Sequence, residues 1–124
     1  MVPFPILYED AHCVVINKPP GILVHRTRLS EDTVFVLQLL RDQLGGAHLF
    51  PAHRLDRATS GVLVFGKSSE AATWLGERRM EKQWEKKYLA VVRGHLREPA
   101  GTIDYPLSDP ETGKTDQPAV THWK

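Results

Sequence analysis

The sequence lacks several features that would assign it to a class of protein. It has a single cysteine, Cys13, so no disulfide can form within the chain, which fits a reducing, cytoplasmic environment. Its longest apolar runs are far shorter than the ~20 residues that a membrane-spanning helix needs. The stretch Met1–Pro5 is not a basic segment followed by a long apolar one, so no secretory signal is predicted.

An excess of charge of either sign is also missing. The net charge is only +1, so the composition as a whole does not indicate a nucleic-acid-binding protein. The distribution is more informative, because residues 78–97 contain seven basic and two acidic side chains, whereas residues 98–116 contain five acidic and one basic. The basic stretch could neutralise RNA phosphates, or it could be an ordinary solvated helix face.

The chain has 124 residues, of which 41% are hydrophobic and 25% charged, as in one globular domain with its own core. Apolar strand patterns alternate with helical ones, which predicts an α+β fold. We expect a hairpin near the N-terminus, two helices and a core strand in the second half. The predicted strands are Phe4–Glu9, Cys13–Ile16, Ile22–Val24, Val62–Phe65, Lys87–Arg93, His95–Leu96 and Thr102–Tyr105.

Both predicted helices begin at a serine, whose hydroxyl can cap free backbone N–H groups. The first is expected from Ser30 to the Gly45–Gly46 pair, with Val36, Leu37, Leu40 and Leu44 on one apolar stripe. The second is expected after Ser68, with Ala71, Trp74 and Leu75 facing the core and basic residues in its later turns.

The chain is organised around the stretch from His53 to Gly61, His-Arg-Leu-Asp-Arg-Ala-Thr-Ser-Gly. On an extended backbone residues i and i+2 share a face, so Arg54 and Asp56 are expected side by side. A turn then leads into an apolar strand. Such a pair is often only a structural ion pair, and an aspartate before a turn often bonds its own backbone.

The longer string resembles the signature of the RluA family of RNA pseudouridine synthases. Val14–Gly21 and Lys86–Gly94 are similar to that family's opening strands and second motif. Three further stretches are similar to its tRNA-modifying branch. These are Arg41–Gly45, Asp104–Leu107 and Gln117–His122.

The resemblance implies a pseudouridine synthase fold, a mixed and largely antiparallel sheet flanked by helices. It also implies that residues 1–124 form the N-terminal part of a single catalytic domain, about half of it. The family's third motif, basic and followed by Gln-Leu-Arg, lies in the other half, and no such motif precedes Lys124. We expect the protein either to continue or to be truncated, and a truncated protein would expose sheet edges and self-associate.

By resemblance, Asp56 is the catalytic carboxylate and Arg54 enters the space that a flipped uridine vacates. Tyr88 takes the place of the motif tyrosine that packs on the uracil, and His53 contacts substrate. By pattern alone, Tyr88 is a core tyrosine on a strand, and His53 is a packing or turn residue. His-Arg-x-Asp also occurs in kinase catalytic loops, but no glycine-rich phosphate loop precedes it and no Asp-Phe-Gly follows.

The expected function is the isomerisation of a specific uridine to pseudouridine, in tRNA rather than rRNA, with no membrane partner and no obligate protein partner. This reaction involves no net redox change, so no cofactor is expected. A metal site built from His48 and His53 is not expected either, because their spacing matches no usual zinc pattern. The alternative is a catalytically inactive RNA-binding fragment, which would bind tRNA equally well after Asp56→Asn.

Overall fold

The computed structural model describes residues 3–124, which form two compact units, one ending at Lys86 and the other spanning Lys87–Lys124. Neither helix described in this range is long and apolar enough to cross a membrane. The elements in chain order are β1 Ile6–Glu9, β2 Cys13–Lys18, α1 Val36–Gln43, β3 Phe50–Pro51, β4 Gly61–Gly66, α2 Ser69–Met80, β5 Gly101–Asp104 and β6 Val120–Trp123.

The first unit contains a four-stranded antiparallel sheet in the order β1-β2-β4-β3. β1 and β2 form the predicted hairpin, whose turn is held by Asp10. One carboxylate oxygen of Asp10 accepts from the backbone N–H groups of His12 and Cys13 at 2.7 and 2.8 Å. These hydrogen bonds lower the pKa of Asp10 to about 2.

The antiparallel sheet and the two helices confirm the predicted α+β class.

The core lies on one face of this sheet. Val14 and Ile16 of β2, and Leu63 and Phe65 of β4, are completely buried. Val62, which directly precedes Leu63 in β4, is 59% exposed, so β4 is half-buried although every residue from Val62 to Phe65 is apolar. α1 covers the core with Val36 and Leu40, and Leu37 and Leu44 pack at its edge, as the predicted stripe requires.

The predicted start of the first helix at Ser30 is wrong, because α1 begins at Val36. Phe35 makes an isolated parallel bridge to Leu23, and the backbone N–H groups of Val36 and Leu37 donate to the carbonyls of Leu23 and Val24. The backbone just before Val36 therefore runs alongside the segment at Leu23 instead of forming a helix. This bridge is all that forms of the predicted strand Ile22–Val24.

α2 begins as predicted, since the Ser68 hydroxyl accepts from the backbone N–H of Ala71 at 3.0 Å. The helix lies close to β4, where a Cβ on Gly66 would come within 2.5 Å of the Ala72 nitrogen. The prediction that Trp74 faces the core is wrong, because this side chain is 55% exposed. Its ring instead contacts the Arg78 guanidinium, 4.9 Å from the ring centroid.

The second unit contains an antiparallel hairpin of β5 and β6. The predicted core strand Lys87–Arg93 is wrong, because these residues form no strand, and Leu89 and Val91 are fully exposed. A strand needs a backbone partner, and no described strand pairs with this segment. No strand forms at His95–Leu96 either. The expected self-association stays a prediction.

Candidate active site

The segment from Arg54 to Ser60 leaves the sheet after β3 and returns to it at β4. Leu55 is buried in the core, 7% exposed, whereas the side chains on either side of it, Arg54 and Asp56, are exposed. This agrees with the alternation expected of an extended backbone. Leu55 therefore anchors the segment, and the guanidinium-bearing and carboxylate-bearing residues are both turned to solvent.

Lys18, the last residue of β2, holds this loop from beneath. Its side chain is completely buried, yet its ammonium is well satisfied. The Nζ atom donates to the backbone carbonyls of Asp56 and Arg57, both at 3.1 Å, and of Thr59 at 2.7 Å, as well as to that of Pro19 at 3.0 Å. Three carbonyls of the loop thus converge on one cation.

Burial lowers the pKa of the Lys18 ammonium, and the negative charge of Asp56 opposes that shift. The candidate catalytic carboxylate is therefore close enough to a buried cation for the two charges to attract each other. The sequence motifs assign Lys18 no role. The available signal was its position, a lysine that ends an apolar strand directly before Pro-Pro-Gly.

Further hydrogen bonds fix the loop at its second arginine. The carbonyl of Arg57 accepts from the backbone N–H of Gly21 at 2.7 Å, and the N–H of Thr59 donates to the carbonyl of Asp56 at 3.0 Å. The Arg57 guanidinium donates to the Ser30 hydroxyl at 2.9 Å and forms an ion pair with Asp32. The main chain at Asp56 is thus tied on both sides.

His53 occupies the junction between the sheet and the loop. The backbone N–H of Ala52 donates to the carbonyl of Val64. The N–H of Val64 in turn donates to the Nε2 atom of His53 at 3.1 Å. The imidazole thus continues the strand ladder by one more hydrogen bond. Its ring also meets the Trp84 ring edge-on, at 5.0 Å between centroids.

The pKa of His53 is lowered from 6.5 to about 4, first by burial and then by the charges of Arg79 and Lys86. As the pH falls from 6.5 to 4, the unfolded chain takes up this proton before the folded protein does, so the free energy of unfolding decreases. We expect this loss to end near pH 4, because below that pH His53 is protonated in both the folded and the unfolded state.

His53→Gln tests this expectation, because glutamine keeps an acceptor for Val64 but does not titrate. Urea unfolding between pH 4 and pH 7 should show a shallower pH dependence for the variant than for the wild type. Parallel curves for the two proteins would show that His53 does not carry the effect.

Tyr88, the other candidate contact to substrate, belongs to the unit that begins at Lys87. Its side chain is 64% exposed, so the alternative of a core tyrosine does not hold. Its ring is therefore available for stacking.

A depression of about 620 Å³ adjoins the base of the loop, because Lys18 and Ser60 are among its lining residues, together with several prolines and other apolar residues. Neither Arg54 nor Asp56 lines it, so it does not contain the candidate chemistry. Within residues 3–124, no group of three or more histidine, cysteine, aspartate or glutamate side chains is placed to hold a metal ion.

The fold and the site together define an α+β protein that presents a carboxylate on a rigid loop beside a basic side chain. A family model described as RNA pseudouridylate synthase matches residues 12–124. The chain therefore belongs to the RNA pseudouridylate synthase family, and the RluA resemblance of its motifs is confirmed.

The curated relatives include proteins named tRNA pseudouridine synthase C. The one from Haemophilus influenzae is 55% identical over 103 residues, which cover 82% of this chain and 42% of the relative. The one from Yersinia pestis is 43% identical over 129 aligned positions, covering 96% of this chain and 49% of the relative. The chain thus spans about half the length of these relatives.

Solved structures give the same fold. Human RNA Pseudouridylate Synthase Domain Containing 4 is 30% identical and superposes with a TM-score of 0.77, covering 95% of this chain and 52% of that one. Human RNA Pseudouridylate Synthase Domain Containing 1 is 23% identical, with a TM-score of 0.70, and covers 97% and 50% of the two chains. The predicted pseudouridine synthase fold is confirmed.

Proposed function

We propose that this chain belongs to an enzyme that isomerises a specific uridine of tRNA to pseudouridine, with Asp56 as the catalytic carboxylate. The observation that supports this most strongly is the loop that carries Asp56. Its backbone is fixed by the buried Lys18 ammonium, while the side chain of Asp56 stays exposed to a substrate. Residues 1–124 would supply the N-terminal part of one catalytic domain.

The reaction breaks the N1–C1′ bond of uridine, turns the base and forms a C5–C1′ bond. The hydrogen on C5 is released to solvent as a proton, and N1 takes up a proton from solvent. Electrons balance without an oxidant or reductant. An ionised Asp56 can act by attacking the sugar, by attacking the base or by removing a sugar proton. In all three routes the carboxylate must reach a nucleotide that has left its stack.

The other candidate residues fit roles around that flipped nucleotide. Arg54 is exposed next to Asp56 and would fill the space that the base leaves. Tyr88 would stack on the uracil, since an aromatic face packs on any base. His53 would contact the substrate from the start of the loop, where its ring is held in place by the hydrogen bond that its Nε2 atom accepts from Val64.

The choice of tRNA rests on the names of the relatives, which are tRNA pseudouridine synthase C in several bacteria. A cytoplasmic location follows from the same proposal, since the enzyme must meet tRNA. The reaction needs neither a cofactor nor a metal ion in the form proposed here.

The direct test is to map pseudouridine in RNA treated with the product of the complete open reading frame that contains this sequence. Unmodified tRNA and an unmodified ribosomal RNA fragment should be compared at equal uridine concentration. We expect pseudouridine at one position or a few neighbouring positions in tRNA and none in the ribosomal fragment. Modification of the ribosomal RNA alone would overturn the choice of substrate, and no modification of either would overturn the proposed function.

A further inference from the structure

The C-terminal end of α2 has a lysine where most helices that end in the same way have a glycine. The backbone N–H of Gln83 donates to the carbonyl of Arg78 at 2.9 Å, and that of Lys82 donates to the carbonyl of Arg79 at 3.0 Å. This is the hydrogen-bond pattern of a Schellman motif, which places Lys82 at the position just past the helix. Lys82 accordingly has a left-handed backbone, with φ of 58°.

Glycine is the residue most often found at this position, because a side chain makes the left-handed conformation unfavourable. A lysine there places a cation at the tip of the turn at a cost in stability. Strained residues of this kind often mark functional sites. A role in stabilising the negative end of the helix is the competing explanation.

The turn is attached to the candidate active site. Trp84, two residues after Lys82, packs its ring against that of His53, with centroids 5.0 Å apart and planes 82° apart. The charges of Arg79 and Lys86 both act on His53, so these two cations lie near it as well. His53 directly precedes Arg54, so the basic turn adjoins the loop that carries Asp56.

The cations of this segment differ in how they are used. Arg78 donates to Glu81 at 2.9 Å and lies over the Trp74 ring, so it is already engaged. The other three basic residues are exposed, and none forms an ion pair with a residue that the structure describes. These three are Arg79, Lys82 and Lys86.

We propose that Arg79, Lys82 and Lys86 form a cationic ledge that binds backbone phosphates of the RNA beside the uridine presented to Asp56. This inference rests on the proposed function, and it adds to it a surface that would bind the RNA backbone next to the target uridine. The ledge would grip the strand next to the flipped nucleotide through charge alone, since lysine recognises phosphate as a point charge without reading sequence.

The test is the salt dependence of tRNA binding by the product of the complete reading frame. Wild type should be compared with a ledge variant, Lys82→Gln with Lys86→Gln, and with a control that removes two exposed lysines elsewhere, Lys114→Gln with Lys124→Gln. Each phosphate contact contributes roughly 0.7 to 1 to the slope of log affinity against log salt concentration. We expect the slope to fall by roughly 1.4 to 2 in the ledge variant and to stay unchanged in the control.

A second variant separates binding from stability. Lys82→Gly should weaken tRNA binding and lower the slope by roughly 1, while its urea unfolding midpoint stays equal to that of wild type or rises. Lys82→Arg, which keeps the positive charge, should bind tRNA as wild type does. A lower unfolding midpoint for Lys82→Gly with unchanged tRNA binding would show that Lys82 serves the helix end and would overturn the ledge.

The outcomes distinguish the ledge from the function on which it rests. If wild type binds tRNA and the ledge and control variants have the same slope as it does, the ledge is wrong and the proposed function stands. If wild type does not bind tRNA at any salt concentration, both proposals fail.

Discussion

Replacing Asp56 by asparagine is expected to lower the rate of pseudouridine formation by about 10³-fold or more, since removing a group that transfers a proton or attacks substrate costs at least 10² to 10⁴. Asparagine has nearly the same shape, so the loop geometry should persist. The backbone carbonyl of residue 56, which accepts from Lys18 at 3.1 Å, is unaffected by the change. The effect should therefore fall on turnover and leave tRNA binding unchanged.

The measurement is pseudouridine formed per enzyme at saturating tRNA, with tRNA affinity determined in parallel. Asp42→Asn is a matched control, because Asp42 is an aspartate of α1 whose carboxylate accepts from Gln38 at 3.0 Å, outside the loop. Equal turnover by wild type and Asp56→Asn would show that Asp56 is not catalytic. Unchanged tRNA binding without turnover by either protein would favour the non-catalytic RNA-binding alternative.

Replacing Lys18 by methionine is expected to have the largest effect on stability. The substitution keeps the length of the side chain but removes the buried ammonium that donates to the carbonyls of Pro19, Asp56, Arg57 and Thr59. Leaving acceptors without their charged donor costs about 1–3 kcal/mol, a large share of the ~5–15 kcal/mol that stabilises a typical domain. We expect the urea unfolding midpoint to fall sharply.

Lys67→Met provides the matched control. Lys67 also forms an ion pair, with Glu9 at 2.6 Å, but both partners are partly exposed. Such pairs contribute about 0.2–1 kcal/mol, so this variant should unfold close to wild type. If Lys18→Met were no less stable than Lys67→Met, Lys18 could not be what holds the loop under Asp56.

Several local features of the fold could be predicted because their causes are local. The hairpin of β1 and β2 follows from two apolar strands around a short polar turn, and Ser68 caps α2 through its own hydroxyl. The start of α1 could not be predicted in this way. Ser30 has the residue type of a cap, but its hydroxyl instead bonds the backbone N–H of Asp32 and the guanidinium of Arg57, which is distant in sequence.

The site shows the same division. The exposure of Arg54 and Asp56 around a buried Leu55 follows from strand alternation, which the sequence displays directly. The burial of Lys18 does not, because it depends on carbonyls about forty positions later in the chain, brought near by the pairing of β2 with β4. Likewise, the residue pattern of Lys87–Arg93 favours a strand, but a strand forms only where a neighbouring strand pairs with it.

The most direct test of the account is the release of tritium from tRNA labelled at C5 of uridine. The product of the complete reading frame should be assayed as wild type and as Asp56→Asn. Because forming the C5–C1′ bond expels the C5 hydrogen, we expect wild type to release tritium to water in proportion to the pseudouridine formed, and the variant to release almost none. No release by a folded wild-type protein that binds tRNA, or equal release by both proteins, would contradict the account.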